Sequence, residues 1–158
     1  MKCAVMEQIT HHGYKDPEAI TTEKLLLSAR GKSVLVVEDN PDARAYFGRT
    51  LEFLGANVDF AENGRDAIQK AMYNVYDTIL MDIAMPVCDG IEATQELRRE
   101  GYEGWIVAVT AYPLPKGDDT IYSLGFDDYL LKPVNRLQLL HAIAFHPQPR
   151  HRKVPQLH

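Results

Sequence analysis

Five short apolar runs, each followed by a stretch with helical spacing, restrict this chain more than any other feature. The runs are "VLVVE" (34–38), "NVDFA" (57–61), "TILM" (78–81), "WIVAV" (105–109) and "DYLL" (128–131). After the first, Tyr46, Phe47, Thr50, Leu51 and Leu54 recur at helix spacing, and Gly55 is placed to end that helix. Ala67, Ile68, Ala71 and Met72 mark a second helix, and Ile91, Thr94 and Leu97 a third. Ile121 and Leu124 lead to Gly125 in a weaker fourth, and Leu137, Leu140 and His141 carry a fifth. Strands alternating with helices predict an α/β domain: a doubly wound, five-stranded parallel sheet with helices on both faces. In such sheets ligands bind beyond the carboxyl ends of the strands, so function is read there.

The first strand finishes in two adjacent acids, Glu38 and Asp39, and Asn40-Pro41 then turns the chain into a helix. Neighbouring strand residues point to opposite faces, so both acids can serve one site only where the strand stops. "TILMD" ends in Asp82, "IVAVT" in Thr110 and "YLLKP" in Lys132. Three carboxylates, a hydroxyl and an ammonium are thus expected on one rim. Clustered carboxylates repel, and a hard divalent cation removes the conflict; Mg²⁺ prefers such oxygen ligands. Asp82 has a second possible role, because a carboxylate can attack phosphorus and carry an acyl phosphate. Lys132 and Thr110 are then suited to bind the phosphoryl oxygens.

These residues resemble the receiver domain of two-component response regulators, particularly the receivers attached to hybrid histidine kinases. The resemblance covers residues 33–145 through "VLVVEDNPDAR", "LMDIAMPVCDGIEAT", "VAVTAY" and "DDYLLKPV". It implies a flavodoxin-like sheet of strand order 2-1-3-4-5, with Asp82 as phosphoacceptor. It implies Mg²⁺ held by Glu38, Asp39, Asp82 and the backbone carbonyl of Ala84, a phosphate-binding Lys132, a switch pair of Thr110 and Tyr129, and a cis bond before Pro133. The implied partners are a histidine kinase or a histidine phosphotransfer protein upstream and an unknown protein downstream. The implied chemistry is self-phosphorylation and slow self-dephosphorylation rather than enzymatic turnover. Ala84 and Tyr112, two residues past Asp82 and Thr110, depart from the usual polar choices and bear on how long a phosphate would persist.

Outside the domain, residues 1–32 form an N-terminal extension. There Asp16 as a cap, Pro17 at the first helical position and Gly31 as a stop predict one added helix. Residues 146–158 carry three prolines with Arg150, Arg152 and Lys153, and read as a basic, disordered tail. A net charge of −5 argues against nucleic acid or an anionic membrane as partner, so no direct DNA binding is expected. No apolar run reaches the length of a membrane span. Cys3 and Cys88 fit no CxxC pattern and suggest free thiols in a reducing cytoplasm. The six histidines form no metal-binding pattern.

Two other functions compete with a phosphorylated receiver. A Mg²⁺-dependent phosphatase with an aspartate nucleophile combines the same residue types. The haloacid-dehalogenase type, however, needs a second acid two residues on to protonate the leaving group, and here that residue is Ala84. A receiver-like binding module that is never phosphorylated is the other.

Overall fold

Alternate residues of the first strand go to opposite sides of the molecule, and the rest of the architecture follows from that division. The structure is a computed structural model that describes residues 21–113 and 119–146. Its elements are α1 (Thr22–Ala29), β1 (Ser33–Val37), α2 (Pro41–Phe53), β2 (Asn57–Ala61), α3 (Gly64–Tyr73), β3 (Thr78–Asp82), α4 (Gly90–Arg99), β4 (Trp105–Thr110), α5 (Thr120–Ser123), β5 (Asp128–Leu131) and α6 (Arg136–Ala144). The strands are parallel, in the order β2-β1-β3-β4-β5. Val34 and Val36 pack with Phe47 and Leu51 of α2 and Leu139 and Ile143 of α6. Leu35 and Val37 face Ala67 and Ile68 of α3 and Ala93 and Leu97 of α4. Helices cover both faces, as βα crossovers require.

Central strands β1, β3 and β4 are buried almost throughout, whereas β2 and β5 at the edges are only half-buried. A charge guards the β2 edge: Asp59 accepts a 2.6 Å hydrogen bond from Tyr76 and lies 3.6 Å from Lys70. Each long helix starts on a side-chain cap that the sequence supplies. Asn40 caps α2, Asn63 caps α3 and Asp89 caps α4, while Asn135 and Gln138 close a reciprocal box on α6. These caps fix where each helix leaves the rim above the strands.

Within the expected N-terminal extension, α1 starts on Thr21, whose side chain accepts from the Lys24 N–H, and its Leu25 and Ala29 are buried in the core shared by α2 and α6. Asp16 and Pro17 lie outside the described residues, as do Cys3 and the basic residues of the tail. Gly31 takes a positive φ of 74° and turns the chain from α1 into β1. The expected fourth helix is a single turn, α5.

His146, which the sequence places in the tail, is packed at the end of the sheet opposite the acidic rim. Its ring stacks on Trp105 at 5.0 Å, and its Nε2 shares a 2.8 Å hydrogen bond with Thr78 Oγ1. Burial pushes the imidazole below its ordinary range, with Lys32 adding to the effect, and burial does the same to His141. The unfolded chain therefore binds protons at pH values where these folded imidazoles do not. Stability should fall as pH drops below about 6.5. Replacing His146 by Phe keeps the stacked ring and should flatten part of that fall. Urea midpoints of parent and variant at about pH 7.5 and about pH 5.5 measure it. An equal drop in both proteins would count against His146.

Candidate functional site

Four strand ends meet in one cleft of about 330 Å³, lined by Glu38, Asp39, Asn40, Asp82, Ile83, Ala84, Thr110, Ala111, Tyr112 and Lys132. Parallel register puts them there: Asp82 is level with Val109, and Thr110 with Leu131, one residue before Lys132. The Lys132 N–H donates to the Thr110 carbonyl at 2.8 Å, which holds the lysine beside β4, and the Lys132–Pro133 peptide is cis.

The cleft is organised around Asp82, which is 5% exposed. One carboxylate oxygen, Oδ1, accepts from the Ala84 N–H at 3.1 Å, and the other, Oδ2, accepts from Lys132 Nζ at 2.9 Å. Lys132 also donates to Glu38 Oε2 at 3.0 Å, while Glu38 Oε1 takes the Asn40 N–H at 3.1 Å. Burial pushes the Glu38 carboxyl above its usual range against the pull of Asn40 and Lys132, and the nearby charge of Asp82 adds to the rise. For Lys132, burial opposes the charge, but the bonds to Asp82 and Glu38 outweigh it and raise the ammonium above its ordinary value. A half-buried cation shared by two carboxylates is the expected response to crowded negative charge. Asp39 is exposed and completes a cluster of three carboxylates whose ligand oxygens all lie within 4.8 Å of one another. Such a set of hard oxygen donors fits Mg²⁺.

Thr110 Oγ1 accepts from the Tyr112 N–H at 3.1 Å, so its hydroxyl faces the cleft next to the loop after β4. Tyr129 is not part of the lining; it sits half-buried on β5 opposite Ala108. Cys88 is 1% exposed, and burial raises its thiol above the ordinary value, in keeping with an inert side chain.

Two features of the loop after β3 escaped the sequence reading. Gly90 packs so closely that a Cβ there would lie 2.1 Å from the Asp82 carbonyl oxygen, and its N–H donates to the Ile83 carbonyl at 3.0 Å. The "DG" pair could have signalled it, as a glycine opening a helix where two backbones touch. Val87 holds a φ of 74°, unusual for a β-branched residue, in a turn closed by the Cys88 N–H on the Pro86 carbonyl. Nothing in its identity announces that.

Comparison with known proteins agrees with this geometry. The family model for the response regulator receiver domain matches residues 34–144. The chain is 35% identical over 130 residues to "Two-component system protein A" of Emericella nidulans, covering 80% of this chain but 19% of that protein. Among solved structures it is similar to the receiver domain of sensor histidine kinase PA1611 from Pseudomonas aeruginosa, which has a magnesium ion in its active-site cleft. That match has 38% identity and a TM-score of 0.64, covering 72% of this chain and 98% of the other. It is also similar to a chain of the Saccharomyces cerevisiae complex between the phosphotransfer protein Ypd1 and the Ssk1 receiver domain. There the identity is 30% and the TM-score 0.67, covering 72% and 87%.

Proposed function

The chain belongs to the response regulator receiver domain family, and from that premise we propose that it takes a phosphoryl group from a partner's phosphohistidine onto Asp82. The observation that carries this reading is the state of that carboxylate: nearly buried, held on one oxygen by Ala84 N–H and on the other by Lys132. An Asp82 oxygen attacks phosphorus in line with the phosphorus–nitrogen bond. As the new phosphorus–oxygen bond forms, the old bond breaks and its electron pair returns to the imidazole. Lys132 remains against Glu38 while it turns its ammonium to a phosphoryl oxygen, and Thr110 donates its hydroxyl to another. Asp39, Asp82 and the Ala84 carbonyl, with Glu38 directly or through water, are the groups that would hold Mg²⁺. Bound there, Mg²⁺ supplies charge screening between the carboxylates and the incoming phosphoryl group.

Thr110 and Tyr129 form the proposed switch that reports phosphorylation to a downstream protein, through contact or onward phosphotransfer. Upstream, the donor is a histidine kinase or a histidine phosphotransfer protein, a class represented by the Ypd1 complex. A cytoplasmic setting is part of the same reading, since there the free Cys88 thiol stays reduced. The test is incubation with a labelled phosphohistidine donor protein. Label should pass to this chain only with Mg²⁺ present, and hydroxylamine should release it, as an acyl phosphate requires. Label that stays on the donor would overturn the proposal.

The phosphorylated state should also be long-lived. Loss of the phosphate needs a water in line with the breaking bond. The Ala84 side chain has no polar group to orient one, and Tyr112, 75% exposed, borders the same cleft. Ala84→Asn combined with Tyr112→Glu should speed the loss by at least about tenfold, or roughly 1.4 kcal/mol of barrier. Decay of the isolated phosphoproteins at equal Mg²⁺ measures this. Equal lifetimes would show that these two positions do not control water access.

A further inference from the structure

Arg44 stands one turn into α2 and takes no direct part in the proposed reaction, yet it is tied to the acidic turn from behind. Its Nη1 donates to the backbone carbonyl of Glu38 at 2.9 Å and to that of Asp39 at 3.3 Å. Its Nη2 lies 3.3 Å from Glu62 Oε1 in the segment after β2; the Arg44 side chain is 19% exposed, the Glu62 side chain 71%. The β1–β2 ladder pairs residues only as far as Val37 and Ala61, so neither carbonyl belongs to it. One guanidinium nitrogen therefore serves two successive carbonyls where the strand gives way to the turn.

This matters because Glu38 and Asp39 would diverge if the strand simply continued. Their carboxylates reach one cleft because the backbone turns at Asn40, whose N–H holds Glu38 Oε1 and whose side chain caps α2. Arg44 grips the opposite side of that turn by its carbonyls. We infer that Arg44 is a positioning residue, holding the Glu38–Asp39 turn in the conformation that lets both carboxylates share one divalent cation. This inference rests on the reading of Glu38 and Asp39 as the Mg²⁺ pair.

The experiment is a calorimetric Mg²⁺ titration of the full chain as parent, Arg44→Met, Arg44→Lys and Glu62→Gln, with circular dichroism to confirm folding. Losing support behind metal ligands typically weakens binding by tenfold or more, so Arg44→Met should bind Mg²⁺ about tenfold more weakly. Because a single nitrogen makes both carbonyl bonds, Arg44→Lys should stay within about threefold of the parent. Glu62→Gln removes only an exposed ion pair and should stay within about twofold. In phosphorylation from a small-molecule donor, the Mg²⁺ needed for half-maximal rate should rise about tenfold in Arg44→Met, with the rate at saturating Mg²⁺ within about twofold. A general loss of structure would lower that saturating rate too. If Arg44→Met does not fold, Arg44→Gln takes its place under the same criterion. Mg²⁺ binding by the Met variant within about twofold of a parent that binds normally overturns the role of Arg44 alone. So does a Glu62→Gln defect as large as that of Arg44→Met. A parent that binds no Mg²⁺ overturns the reading of the acidic pair, and the role of Arg44 with it.

Discussion

Asp82→Asn is expected to take phosphoryl incorporation from full occupancy to none while the protein stays folded. The amide fills the same space at the end of β3 and can still accept from the Ala84 N–H, but it is a poor nucleophile. Two changes in stability oppose each other. The variant loses the charged bond from Lys132, made at 2.9 Å, and it relieves Glu38 of a neighbouring negative charge that raises its carboxyl. The net change should therefore be small, within about 1 kcal/mol. Radiolabel transfer from a phosphohistidine donor and a urea unfolding curve check the two halves. Incorporation at the parent's level would mean that another residue is the acceptor.

Gly90→Ala should be the most damaging single-methyl change near the cleft. The added Cβ would lie 2.1 Å from the Asp82 carbonyl oxygen, 2.9 Å from its carbonyl carbon and 2.9 Å from Met81 Cγ. Two of those atoms are backbone, so no rotamer change relieves the contact; α4 or the end of β3 has to move. The expected cost is about 3 kcal/mol, the upper part of the range for overpacking. Because the atoms that move carry Asp82, the phosphorylation rate should fall as well, by about a hundredfold for a displacement near 1 Å. Thermal melts and single-turnover transfer measure the two effects. A variant as stable and as fast as the parent would show that the close approach is not needed to place the acceptor.

The acidic rim was legible in the sequence because strand ends are marked by a change of chemistry. A run such as "TILMD" passes from apolar to charged within one residue, and parallel pairing puts such boundaries at the same level. For this reason the sequence places Glu38, Asp39, Asp82, Thr110 and Lys132 together, and they do line one cleft. Strand limits were good to about one residue for the same reason; Glu38, counted in the first strand, lies just past its paired residues, which end at Val37. Contacts that arise only when distant elements pack were not legible. Local side-chain aim was not legible either: Arg44 could have been an ordinary exposed helix residue, yet its guanidinium turns back five and six residues to the carbonyls of the acidic turn. His146 follows the last helix in a proline-rich context, and its stacking on Trp105 depends on where β4 begins. The positive φ of Val87 is imposed by the loop around it rather than by any preference of valine.

On the proposed reading, Asp82 accepts a phosphoryl group in a Mg²⁺-dependent reaction. Its most direct test is the intact mass of the full chain after incubation with a small-molecule phosphodonor, with and without Mg²⁺. A single gain of about 80 Da, one phosphoryl group, is expected when donor and Mg²⁺ are both present, and none when either is withheld. No gain at saturating donor and Mg²⁺, or the same gain after Mg²⁺ is chelated, would contradict it.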